Sequence, residues 1–169
     1  MTRWLFPRLS AALLALLAGC ASYEGRGLVP GQSTGAEVEA LMGPVTERRA
    51  GPDGDTVLWF SRQPYGRASY AARIGTDGKL KSLEQRLTPD NLVFLERGKI
   101  TDETVHDIFG PPYKINQFPR MQREIWTYWM PATEEWKVLF VQFSPDHVLR
   151  EYYYMDDPEL PRLPAGRRR

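Results

Sequence analysis

The chain predicts an α+β fold of two tandem units, each a short helix, or helix pair, packed on a three-stranded antiparallel meander. Three observations lead there. A capped helical phrase that starts at Gly31 is written again 67 residues later, starting at Gly98. Each copy is followed by runs with the two-residue alternation of strands. Asp77-Gly78 between two such runs is a hairpin turn, because glycine supplies a positive φ there. A constant offset carried across several elements is a repeat signal, and it governs the reading of the rest.

In chain order, residues 1–19 have the three regions of a secretory signal. Arg3 and Arg8 are the positive start, 9–17 is an apolar run broken by Ser10, and Ala18-Gly19 is a small-residue cleavage site. The run is about ten residues, short of the roughly 20 that span a bilayer as a helix. Read from residues alone, an ordinary secreted chain or an uncleaved anchor would carry the same run. Leu17-Ala18-Gly19-Cys20 resembles the lipobox of bacterial lipoproteins. That resemblance implies cleavage between Gly19 and Cys20 and fatty-acyl (palmitate-type) attachment at Cys20. Cys20 is the one cysteine of the chain, and lipidation accounts for an odd thiol in an exported protein. Two or three acyl chains, at about 0.8 kcal/mol per buried methylene, anchor a protein stably. By the same resemblance Ala21, which is not Asp, implies the outer membrane of a Gram-negative envelope, with the body facing the periplasm.

Removal of Arg3 and Arg8 leaves 20 basic residues of the original 22 against 21 acidic, a balance near −1. No strong positive field points to nucleic acid.

The expected divisions are a tether at 20–29, unit one at 30–88, unit two at 89–157 and a Pro- and Arg-rich disordered tail at 158–169. In unit one, Thr34 is an N-cap and Glu37 completes a capping box. Val38, Leu41 and Met42 recur at helical spacing, Gly43 fits the left-handed cap and Pro44 stops the helix. In unit two Thr101, Val105, Ile108, Phe109, Gly110 and Pro111 repeat the phrase. Trp59 falls on Trp126 at the same offset. After a two-residue slip Ile74 falls on Phe143, Asp77 on Asp146 and Leu80 on Leu149. The predicted strands are 56–62, 68–74 and 80–87, then 124–130, 136–143 and 148–154, with an extra helical turn at 89–95.

Here the chain resembles the BamE family (SmpA/OmlA), small outer-membrane lipoproteins that accompany the β-barrel assembly machinery. The resemblance is carried by Thr101, Val105, Phe109-Gly110-Pro111-Pro112 and Ile125-Trp126-Thr127-Tyr128, with Leu87-Thr88-Pro89-Asp90 as lead-in. In unit one it is carried by Thr34, Val38, Met42-Gly43 and Leu58-Trp59-Phe60. The glycine stands three residues before each threonine, against two in the family pattern. The family member carries one unit and this chain two, and a tandem of this shape resembles β-lactamase inhibitory protein. The resemblance implies a scaffold or modulator of envelope assembly, with β-barrel assembly components as candidate partners. The tandem shape implies, as an alternative, an inhibitor of a periplasmic enzyme. A lipid- or cell-wall-binding envelope protein is a third reading.

The residues point away from an enzyme. The lipobox resemblance gives Cys20 to lipid, and Ser144, Asp146 and His147 share one short turn, where neighbouring side chains diverge. Asp53/Asp55 and Asp156/Asp157 read as solvated acid pairs, not metal ligands. No phosphate-binding glycine loop is present. No catalytic residue, cofactor or metal is expected.

The candidate surface lies in 136–143. Leu139, Val141 and Phe143 match Tyr70, Ala72 and Ile74 as the core-facing set. The alternates in unit one, Arg67, Ser69, Ala71 and Arg73, read as a solvated face. Those in unit two, Trp136, Val138, Phe140 and Gln142, are mostly apolar, and one ring of Tyr152-Tyr153-Tyr154, taken as Tyr153, joins them. Two readings stay open. This face packs on unit one or on 92–95, or Trp136, Val138, Phe140 and Tyr153 form a partner-binding surface.

Overall fold

The computed structural model describes residues 24–131 and 136–157. The expected signal, the Gly19–Cys20 cleavage site and the 158–169 tail lie outside these residues.

Thr34 starts helix α1 (Gly35–Met42) with the expected capping box. Glu37 N donates to Thr34 Oγ1 at 3.3 Å, and Thr34 N donates to Glu37 Oε2 at 2.7 Å. The helix buries Val38 and Met42 against Leu58, Phe60, Ala72, Ile74 and Leu80. Each large side chain so buried contributes about 1.5–3 kcal/mol. The covering sheet is β1 (Glu47–Ala50), β2 (Thr56–Ser61), β3 (Ser69–Ile74) and β4 (Leu80–Gln85), antiparallel in that order. A 3₁₀ turn at Pro89–Phe94 leads to helix α2 (Asp102–Phe109). The second sheet is β5 (Lys114–Phe118), β6 (Arg123–Met130), β7 (Lys137–Phe143) and β8 (Leu149–Asp156), again in sequence order. Its core joins Val105, Ile108 and Phe109 to Trp126, Tyr128, Leu139, Val141, Phe143 and Leu149.

The fold is α+β with two units, and each sheet has four strands where the sequence predicted three. The added strands, β1 and β5, have no buried residue; β1 is mostly charged, and β5 leaves its two apolar side chains, Ile115 and Phe118, exposed. Local alternation could not reveal them, because pairing with β2 and β6 is what makes them strands.

The expected equivalence of Trp59 and Trp126 is corrected by the register. Glu47 pairs with Trp59, whereas Lys114 pairs with Thr127, so the β5–β6 hairpin is one residue longer. Leu58 therefore corresponds to Trp126 and Trp59 to Thr127. A one-residue slip moves a side chain to the opposite sheet face. Trp126 faces its own unit's core, and Trp59 faces away from its own.

The spacing from glycine to threonine also finds its cause. Gly31 N donates to Leu80 O and Leu80 N to Ser33 O, both at 2.8 Å. Gly98 N donates to Leu149 O at 2.7 Å, and Leu149 N to Ile100 O at 2.9 Å. In each unit the segment before the cap pairs with the start of the last strand.

The layers run α1, first sheet, α2, second sheet. The outer face of the first sheet, expected to be solvated, is instead the seat of α2. Ser69 and Trp59 on that face are buried. The Trp59 ring meets His106 edge-on at 5.5 Å, and His106 lies 6.5 Å from Trp126 on its other side. His106 Nε2 lies 2.7 Å from Glu47 Oε2. Arg86 donates to the carbonyls of Asp107 and Ile108 at 3.1 and 3.3 Å. A flat patch of Trp59 among small Ser69 and Ala71 accepts a helix, although Arg67 and Arg73 make the strand look wet.

Three further expectations shift. Gly25 is buried beside Leu83 and Met42, and Leu28 packs on the first core, so the described part of the expected tether is docked on the body. Leu87, placed at the end of unit one's last strand, belongs to the second core. Asp55 is buried rather than solvated, bonded to Lys81 Nζ at 2.8 and 2.9 Å and to Arg73.

Candidate partner-binding surface

Two-residue alternation sorts β6, β7 and β8 into faces. Trp126, Tyr128, Leu139, Val141, Tyr152 and Tyr154 turn toward α2, leaving Thr127, Trp129, Val138, Phe140, Tyr153 and Met155 on the outer face. Antiparallel register aligns these in cross-strand rows. Thr127, Phe140 and Tyr153 form one row, and Trp129, Val138 and Met155 the next. Trp136 extends the face at its end, where Asp157 N donates to Trp136 O at 2.8 Å.

The four predicted surface residues therefore share one face but not one environment. Trp136 is 56% exposed and Tyr153 48%, while Phe140 is half-buried. Val138 is 1% exposed and is corrected from surface to interior. It is the smallest apolar side chain of its row, sunk between Trp129 and Met155.

Unit one covers one end of this face. The Arg67 guanidinium lies 4.7 Å from the Trp129 ring and 4.1 Å from the Trp136 ring, and Arg67 Nη1 donates to Lys137 O at 3.4 Å. Burial holds the Arg67 pKa below the usual guanidinium value, and the charge of Asp157 opposes that shift. Trp129 N donates to Gln63 Oε1 at 2.9 Å, which caps a strand end that β5 is too short to reach. Tyr113 stacks on Trp129 with ring centres 4.5 Å apart. The two open readings thus divide the face. Trp129 and Trp136 pack against Gln63 and Arg67 of unit one, and Tyr153 and Met155 on β8 stay exposed. The 92–95 segment plays no part there, because Leu92 and Leu95 pack in the core on the other side.

Sequence reasoning missed Trp129, Tyr113, Met155 and Arg67. Trp129 was findable: it alternates with Thr127 and Ile125, on the face opposite Trp126 and Tyr128. Arg67 was not findable, because its target lies in the other unit.

The turn that groups Ser144, Asp146 and His147 works as a hairpin lock. The Ser144 hydroxyl bonds the Asp146 carboxylate, and Arg150 reaches both at 2.6 Å. His147 turns away, with Nδ1 at 2.7 Å from Asp102 Oδ2. The Asp102 hydrogen bond, then its charge, raises the His147 pKa above 6.5. The Ser144 hydroxyl that a nucleophile would need is committed to the hairpin. Among the described residues no three His, Cys, Asp or Glu side chains cluster as metal ligands would. Also among them, no helix is long and apolar enough to cross a membrane.

Comparison with protein families gives no match, and comparison with curated proteins gives none. Among solved structures, a DUF4309 family protein (YjgB) from Bacillus subtilis is similar over 78% of this chain and 84% of that one. The identity is 16% and the TM-score 0.31, and a likeness at that level carries no argument for fold or role.

Proposed function

We propose that the protein is an outer-membrane lipoprotein, acylated at Cys20, that acts in the periplasm as a non-catalytic scaffold or modulator of envelope assembly. The anchor rests on Leu17-Ala18-Gly19-Cys20, and the assembly role rests on the resemblance to the BamE family. The observation that carries the binding part is the exposed outer face of the last strand, where Tyr153 and Met155 stand open beside Trp136, whose ring is half exposed and covered on one side by Arg67. Aromatic side chains presented on a rigid sheet are typical anchors of protein interfaces.

Affinity capture from detergent-solubilised membranes tests the reading, with wild type compared to Trp136→Ser/Tyr153→Ser. Neither side chain belongs to either core, so the variant keeps both and loses only the Arg67 contact of Trp136. Barrel-assembly components held by the wild type and lost from the variant are the expected result. Equal capture by both moves the binding surface elsewhere. Capture of a periplasmic hydrolase would replace scaffolding with inhibition. Palmitate labelling that Cys20→Ser abolishes is expected for the anchor.

A further inference from the structure

Strand β8 is the outer strand of the second sheet, paired with β7 alone. The bond from Asp157 N to Trp136 O sets the phase of its main chain. In an antiparallel pair, alternate residues bond inward, so Tyr153 and Met155 bond to β7 while Tyr152 and Tyr154 face outward. Two contacts agree with that phase. Arg97 Nη2 reaches Tyr152 O from outside the sheet at 3.5 Å. Leu149, beyond the bulge at Gln142/Phe143, bonds outward to Gly98 and Ile100. Residues 97–100 therefore cover the first half of the edge. The second half presents the Tyr154 N–H and C=O outward, and among the described residues no main-chain partner meets them.

Sheet edges are commonly blunted by lysine, proline or a local bulge. Residues 152–155 read Tyr-Tyr-Tyr-Met, and Tyr153, Tyr154 and Met155 are all exposed. An open edge with apolar side chains on both faces is suited to adding a strand.

We propose that this edge joins two copies of the chain, antiparallel, about a twofold axis at Tyr154. The choice of a second copy rests on self-complementarity. With the axis there, the outward groups of the two Tyr154 residues exchange two main-chain bonds. Tyr152 stands opposite Asp156 of the second copy, and Tyr153 opposite Met155, so exposed apolar side chains cover one another twice. Arg97 lies 3.7 Å from Glu151 and over the Tyr152 ring at 4.7 Å. It would approach Asp156 of the other copy, which in its own chain already pairs with Lys137, and the symmetry repeats the approach. The result is one eight-stranded sheet.

Light scattering of the full chain in detergent, read as the mass of the protein component over a dilution series, tests the proposal. Tyr154→Pro is the probe, because it removes an outward N–H and no bond to β7. Wild type at twice the single-chain mass is expected, with Tyr154→Pro at half that value and an unchanged circular dichroism spectrum. Wild type at the single-chain mass throughout would overturn the proposal, as would a Tyr154→Pro protein that stays at double mass. If the proline variant fails to fold, Tyr153→Lys/Met155→Lys supplies the same reading, since it sets lysines opposite one another across the axis. Single-chain mass there supports the edge, and double mass rejects it. Arg97→Glu is expected to raise the dimer dissociation constant about tenfold or more, as lost interface charge pairs do.

Discussion

A Cβ placed on Gly110 would lie 2.6 Å from Cε3 and Cζ3 of Trp59, so the cap of the second helix is the surface on which the first sheet's tryptophan rests. Its repeat partner Gly43 has nothing within 4 Å, although both have a φ near +85°, at 83° and 85°. Gly43→Ala is expected to cost about 1–3 kcal/mol from backbone strain alone. Gly110→Ala adds overpacking of about 1–3 kcal/mol. Urea unfolding of the two variants checks the ranking, and equal losses would remove Gly110 from the junction.

Asp55 gives acid sensitivity to the first unit. The hydrogen bond from Lys81, with further help from Arg73, holds its carboxyl below the usual value of 3.8, against the opposing effect of burial. A depressed native pKa contributes stability that is present above the unfolded value and lost as pH falls through the native one. The melting temperature should therefore drop as pH falls below about 4. Asp55→Asn should melt lower than wild type at pH 7 and lose part of that acid slope. A neutral-pH melt identical to wild type would contradict the role.

The His147–Asp102 pair works in the opposite direction. Its raised native pKa means that its contribution is complete below 6.5 and disappears as pH rises through the native value. The side chain is exposed, so the readout is titration rather than stability. The His147 ring signal should have its midpoint above 6.5, and Asp102→Asn should move it down toward that value. No movement would mean that the pair is absent in solution.

Arg67 couples the units through the indoles of Trp129 and Trp136. A double-mutant cycle of Arg67→Ala and Trp136→Ala should give a coupling of about 0.5–1 kcal/mol, the range for partly exposed cation–π contacts. Additive losses in urea unfolding would show that the two side chains do not interact.

Much of the fold was legible because its signals are local. Thr34 with Glu37, and Thr101 before Val105, marked both helices through capping and period. Asp77-Gly78 marked a hairpin, and Gly78 has its positive φ of 76°. The core sets Leu139, Val141, Phe143 and Ala72, Ile74 followed from two-residue alternation. The 47–50 and 114–118 strands were silent, because an edge strand that buries no side chain is defined by its neighbour.

The candidate surface was half legible. Trp136, Phe140 and Tyr153 share a face because pleating puts alternate residues on one side, and that much needs only the chain. Val138 was misplaced because depth within a face depends on the size of cross-strand neighbours.

By itself, then, the sequence determined the two capped helices, the repeat and the facing of the strands that follow, since these depend on residues a few positions apart. Only the tertiary structure decided that Trp59 looks outward and Trp126 inward. It also decided that α2 lies between two sheets and that Arg67 closes half of the aromatic face. Those outcomes depend on one extra residue in a hairpin and on contacts between units, which no periodicity along the chain records.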